Sequence, residues 1–231
     1  EYAVDKAAVV QSLGGKDVAE VSNGVFGDGV QGYQPFDPFP TPGSKGDPAK
    51  AKQLLAEAGY PNGLSLKMPF RNKDVEPQLA QTIQASLEKA GFKITLIPVP
   101  ATDFYSTYLV NKDNTKAGQW DIAATGWTPD WMGGAARSVF VPQFTCDGGS
   151  YNYANYCNKN VDALAKQAMT STDTSKVGSM WHQVDVAIMK DAPVVPIATR
   201  KKILYHSARV QNFVPYALAV DGDWTDVSLS Q

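Results

Sequence analysis

The chain has 231 residues, 43% of them hydrophobic and 19% charged, with a formal net charge of −2. That length can bury a sizeable core, and the composition excludes a disordered chain. No basic run exceeds Arg200-Lys201-Lys202, which excludes a nucleic-acid groove, and no apolar stretch approaches the ~18 residues of a membrane span.

The chain opens Glu1-Tyr2-Ala3-Val4-Asp5-Lys6, without Met and already in helical pattern, which reads as a cut inside a longer protein. Residues 1–13 are expected to be helical, with Val4, Ala7, Ala8 and Val10 near one face, and Gly14-Gly15 ends them. Residues 22–46 are rich in Gly, Pro and aromatic residues without a period, so a long irregular segment is expected. Asp47-Pro48 opens the next helix, because Asp caps and Pro suits the first turn. Ala51, Leu54, Leu55 and Ala58 then form its stripe, and Gly59 is its C-cap.

Leu64 to Pro69 reads as a strand, 75–90 as a helix with Leu79, Ile83, Leu87 and Ala90 inward, and Lys93 to Val99 as a second strand. Residues 102–111 suit a short helix, and Trp120 to Trp127 a strand running into the Pro129 turn. Helices are expected at 161–171, with Val161, Leu164, Ala165 and Ala168 inward, and at 174–190, with Val177, Met180, Trp181, Val184, Ala187 and Ile188 inward. Val194 to Ala198 and Ile203 to His206 read as strands. Alternation of strands and helices from residue 47 onward points to an α/β fold, a mixed sheet packed by helices.

Several motifs carry no chemistry in context. Gly27-Asp28-Gly29-Val30-Gln31-Gly32 matches a dinucleotide fingerprint literally, but the proline-rich run from Tyr33 to Pro40 cannot be the helix it requires. Asp221-Gly222-Asp223-Trp224-Thr225-Asp226 lacks the Gly and Glu of a calcium loop. His182 and His206 have no partner at metal spacing, and no serine elbow exists, so no catalytic or metal-ligating residue is assigned and no cofactor is expected.

Cys146 and Cys157 are separated by ten residues of a polar loop, too many for a zinc pair. They are either two unrelated thiols or a disulfide closing that loop. The disulfide is the preferred reading and implies an oxidising, extracytoplasmic compartment. Gly126-Trp127-Thr128-Pro129-Asp130-Trp131 follows an expected strand, and ligands of open α/β sheets sit beyond strand carboxyl ends. Two tryptophans flanking one carboxylate suit a small-molecule site, and equally suit a core Trp followed by a turn.

Along nearly its whole length the chain resembles the C-terminal part of the family 5 extracellular solute-binding proteins. The resemblance is carried by Tyr2 to Val10, by the aromatic-proline loop Gly32 to Pro40, and by Asp47 to Ala51 with Leu54 to Tyr60. Gly126 to Asp130, Ala192 to Pro196 and Val210 to Phe213 complete it.

The resemblance implies a lobe of the periplasmic-binding-protein type II fold. Residues 1–199 would be the distal ligand-binding lobe (domain III-like), and 200–231 would be C-terminal strands returning to a first lobe outside this chain. It implies the substrate-binding component of an ABC transporter capturing extracytoplasmic peptides, monomeric, working with a membrane permease, in the periplasm or on the cell surface as a lipoprotein. By the same resemblance Asp130 pairs with the peptide ammonium, Trp127 and Trp131 line the walls, and Arg71 or Arg137 holds the peptide carboxylate. It also places Cys146 and Cys157 where dipeptide binders carry a disulfide. After Asp130 the chain departs from the dipeptide pattern, running Trp131-Met132-Gly133-Gly134-Ala135-Ala136 in place of an acidic, Asn-rich stretch. The alternative is the same fold binding a sugar, opine or metal chelate. An enzyme would need a convergent nucleophile and base, and none is found in the sequence.

Overall fold

The computed structural model describes residues 1–129, 136–215 and 222–230. Helix α1 spans Lys6–Ser12, and its cap is Asp5, whose carboxylate accepts the Ala8 N–H at 2.8 Å. Strand β1 is Ala19–Val21. The segment from 22 to 46 is irregular as expected, with one 3-10 turn at Pro42–Ser44. Helix α2, Pro48–Glu57, starts as its sequence requires: Asp47 accepts the Lys50 N–H at 2.9 Å and Pro48 takes the first helical position.

A parallel unit follows. Strand β2 (Leu64–Asn72), helix α3 (Glu76–Lys89) and strand β3 (Phe92–Pro100) form a crossover in which Leu64 faces Phe92 and Asn72 faces Pro100. Ile83, Leu87 and Ala90 of the expected stripe are buried with Ala80, and Leu79 packs beside them. Together with Val4, Val9, Ala51, Met68, Phe70 and Ile94 they make one core. Leu54 of α2 departs from expectation and is exposed.

Residues 104–109 form a π-helical turn, and α4 is Lys112–Lys116. The expected strand at Trp120 to Trp127 is not formed. The chain runs alongside β2 there, but only Phe70 and Ala124 form a parallel bridge. The Asp121 and Ile122 N–H groups both converge on the Lys67 carbonyl, which breaks the even spacing of a ladder.

A second core lies among three helices: α5 (Ala136–Phe144), α6 (Lys159–Thr170) and α7 (Thr174–Asp191). Val161, Ala165 and Ala168 of α6 and Trp181, Val184 and Ile188 of α7 are buried, as their periodicity predicts. Phe140 stacks on Trp181 with ring centroids 5.4 Å apart, and Phe26 reaches in from the irregular segment to within 4.1 Å of Phe140. Gly32 explains part of the literal fingerprint motif. It has φ of +98°, and a Cβ there would strike the Trp181 side chain and the Gly178 carbonyl, so this glycine serves packing onto α7.

Ala192 ends α7 in the left-handed conformation. Strand β4 is only Ala198–Arg200, antiparallel to β1 with Ala19 opposite Arg200. The two strands expected at 194–198 and 203–206 are corrected accordingly. Pro196 removes a donor from the first, and Pro193 stands directly before it. The second stands in solvent, with Ile203 64% and Tyr205 95% exposed, and pairs with no strand among the described residues. Two short antiparallel pairs close the chain: β5 (Val210–Gln211) with β8 (Ser228–Leu229), and β6 (Val214–Pro215) with β7 (Gly222–Asp223).

Candidate ligand site

The Phe70–Ala124 bridge sets β2 and the 120–127 segment side by side and parallel, so both leave the sheet at its carboxyl edge. Arg71 follows Phe70 at that edge, and Trp127 follows Ala124 by three residues. Asp130 and Trp131 lie outside the described residues.

Trp127 is half-buried against the three-helix core, and its Nε1 is buried with no hydrogen-bond partner. Its ring meets Tyr151 edge-on at 5.4 Å, and Tyr151 meets Tyr153 at 6.5 Å. Burial pushes the Tyr153 hydroxyl up to about 12, and the neighbouring Tyr105 and Tyr151 add to that shift. Tyr105 in turn lies under the Arg71 guanidinium, 5.8 Å from its carbon. Trp127, Tyr151 and Tyr153 therefore meet ring by ring, and Tyr153 and Tyr105 both pack against the small core of Val99, Phe104, Leu109 and Trp120, with Arg71 over Tyr105.

Arg71 is not a free cation. Its Nη2 donates to Glu76 Oε1 at 2.9 Å, while its Nε is buried without a partner. Arg200 Nη1 approaches the same Glu76 oxygen at 3.7 Å. Arg137 lies on the first turn of α5, exposed, and forms no ion pair among the described residues. The structure thus sets Arg71 over Tyr105, whereas Arg137 stands exposed on α5.

Cys146 and Cys157 are bonded, with their sulfurs 2.08 Å apart. The loop they close is better anchored than its polar sequence suggests. Asn152, 4% exposed, donates to the carbonyls of Thr145 and Tyr156 and accepts the Tyr156 N–H at 2.9 Å. The Cys146 N–H donates to Asp162 Oδ1 at 3.0 Å. At the end of the loop, the Tyr156 hydroxyl and the Asn158 amide both donate to Asp191, at 2.6 Å each, and hold its carboxyl below the usual range. The disulfide loop is what carries Tyr151 and Tyr153 to Trp127. Sequence reasoning missed these two rings, along with Glu76 and Arg200. The signal available was three tyrosines between or beside two cysteines, without any indication of which surface the loop covers.

His182 lies edge-on to Phe36 at 5.3 Å, and His206 packs on Phe213. Among the described residues no group of three or more His, Cys, Asp or Glu could hold a metal ion, and no helix is long and apolar enough to cross a membrane.

A family model described as bacterial extracellular solute-binding proteins, family 5 Middle, matches residues 1–150. Heme-binding protein A of Haemophilus influenzae is 28% identical over 241 residues, covering 96% of this chain and 40% of its own length. Among solved structures, a protein titled clavulanic acid biosynthesis oligopeptide binding protein 2 superposes with a TM-score of 0.87 at 20% identity, over all of this chain and 42% of its own. The periplasmic binding protein DppA from Helicobacter pylori, solved in complex with the peptide STSA, gives 0.80 at 21% identity, over all of this chain and 43% of its own. The chain thus spans about two fifths of the length of these proteins. Its α/β architecture is that of a type II periplasmic-binding-protein lobe.

Proposed function

Because this chain belongs to the bacterial extracellular solute-binding proteins of family 5, we propose that it is the substrate-capturing lobe of an ABC importer's binding protein, and that its solute is a peptide. Residues 1–199 form the distal lobe, and residues 200–231 return to a first lobe carried elsewhere in the polypeptide. The observation that carries this reading is the aromatic row Trp127–Tyr151–Tyr153, which shares a small core with Tyr105, the ring beneath Arg71. A row of flat rings suits an extended ligand, and a cation near one end suits a group of opposite charge.

In this reading Asp130 receives the peptide ammonium at the other end, beside Trp127 and Trp131. A carboxylate facing an ammonium is strong only where water is excluded, which closure of two lobes supplies. Arg71 takes the carboxyl end in preference to Arg137, because Arg71 lies over Tyr105. Capture involves no chemical step and no cofactor. The binding protein works as a monomer outside the cytoplasm, in the periplasm or as a surface lipoprotein, and delivers solute to a membrane permease.

Calorimetry on the two-lobed polypeptide tests this. Free-amine peptides are expected to bind more tightly than their N-acetylated forms, and Asp130→Asn is expected to cost ~2–5 kcal/mol with the free amine. Equal affinity for the two forms would rule out the role of Asp130. A second reading keeps the site and changes the solute to a sugar, opine or metal chelate. The similarity to a heme-binding protein and the apolar run after Asp130 favour it. There, masking an amine would not matter, yet Asp130→Asn would still weaken binding through lost hydrogen bonds.

A further inference from the structure

One oxygen of Glu76 serves two arginines. Arg71 Nη2 lies 2.9 Å from Oε1 and Arg200 Nη1 lies 3.7 Å from the same atom. Each comes from a different element: Arg71 from the end of β2, Glu76 from the start of α3, Arg200 from the end of β4. Glu76 is well placed to stay where it is. Its side chain is 14% exposed, and it occupies the first turn of a helix, where the N-terminal partial charge favours a carboxylate. Arg200 is freer, with its side chain 59% exposed.

Arg71 is held on one side only. Its Nη2 is engaged, but its Nε–H is buried with no acceptor, which is unfavourable until one arrives. The Nε–H and one Nη2–H share an edge of the guanidinium plane, an edge that a carboxylate meets with two parallel hydrogen bonds. Two guanidinium groups around one carboxylate also leave positive charge in excess there.

We propose that Glu76 is a positioning residue that links ligand capture to the strand pair β1–β4. It orients Arg71 so that the Nε edge faces the ligand. When an anionic end group settles on that edge, Arg71 is neutralised and the two carboxylates repel. Glu76 then shifts its contact toward Arg200, at the point where the distal lobe passes into the returning segment. This rests on the reading of the aromatic row as the ligand wall. Linkage is reciprocal: if ligand strengthens the Glu76–Arg200 contact, that contact must strengthen ligand binding. Arg200 would then matter to affinity without touching the ligand.

The test is a double-mutant cycle read by calorimetry on the two-lobed polypeptide, with trialanine and its C-terminal amide as probes. Arg200→Gln is expected to weaken trialanine about fivefold and to leave the amide unchanged. Arg200→Lys keeps the charge and should retain most of the wild-type affinity. In a Glu76→Gln background, Arg200→Gln should have no effect on either probe. An equal loss in both backgrounds, or an equal loss for both probes, overturns the proposal, since Arg200 would then act directly or through the fold. Wild-type protein that binds both probes equally also overturns it while leaving peptide capture in place. Wild-type protein that binds neither removes the peptide reading and this proposal together.

Discussion

Asp185 is 2% exposed within the apolar stripe of α7. Its two oxygens accept the Val25 N–H at 2.9 Å and the Phe26 N–H at 3.4 Å, fastening the irregular segment to the three-helix core. Burial pushes its carboxyl up to about 6, and the two amide donors only partly pull it back. The native state therefore holds a proton that the unfolded chain, at the ordinary value of 3.8, has already released. Stability from this group is present in acid and is lost as pH rises through about 6, by on the order of 3 kcal/mol in total. Urea unfolding between about pH 4 and pH 6.5 should show this fall, and Asp185→Asn should flatten it. Equal slopes in the two proteins would refute the assignment. Nothing in the sequence marks Asp185, because its partners lie 160 and 159 residues away. Arg71 was legible through family likeness, but its engagement by Glu76 depends on how a strand end meets a helix start. Asp130 and Trp131, read from the same likeness, lie outside the described residues.

Among the elements, the disulfide between the end of α5 and the start of α6 has the clearest energetic consequence. It closes a short loop with a sequence separation of 11. Reduction, or Cys146→Ser with Cys157→Ser, should cost about 2–3 kcal/mol, mainly by freeing the unfolded chain. Because the loop presents Tyr151 to Trp127, the same change should also weaken ligand binding by the two-lobed polypeptide. Denaturant melts with and without reductant check the first effect and calorimetry the second. Unchanged affinity would detach the aromatic row from function. Helices α2, α3, α6 and α7 and strands β2 and β3 were legible because each has its own period or cap. Helix α5 was not: Ala136–Phe144 is apolar on most sides and contains Pro142, so it shows neither a polar face nor an uninterrupted helical run. The segment 120–127 misled for the opposite reason. Its residues suit a strand, but only its neighbour could determine that one bridge forms instead of a ladder.

Over the whole molecule, apolar exposure concentrates toward the C-terminus. Ile203, Tyr205, Val214, Trp224 and Leu229 are all exposed, whereas the two large cores lie within residues 1–199. In the proposed arrangement the first lobe covers these side chains. Chymotrypsin acting on the 231-residue chain should therefore cut first at Tyr205 or beyond, leaving a resistant body that ends near residue 200. First cuts within α6 or α7 would count against the division at 199. The strand pair β1–β4 has a further consequence, for the order of folding. It joins residues about 180 apart through three residue pairs, and closing so long a loop costs ~4–5 kcal/mol beyond the fixed term. Three pairs cannot meet that cost until the intervening cores have shortened the path. The clasp is thus a late event in folding and an early one in opening, and substitutions within it act mainly on the unfolding rate.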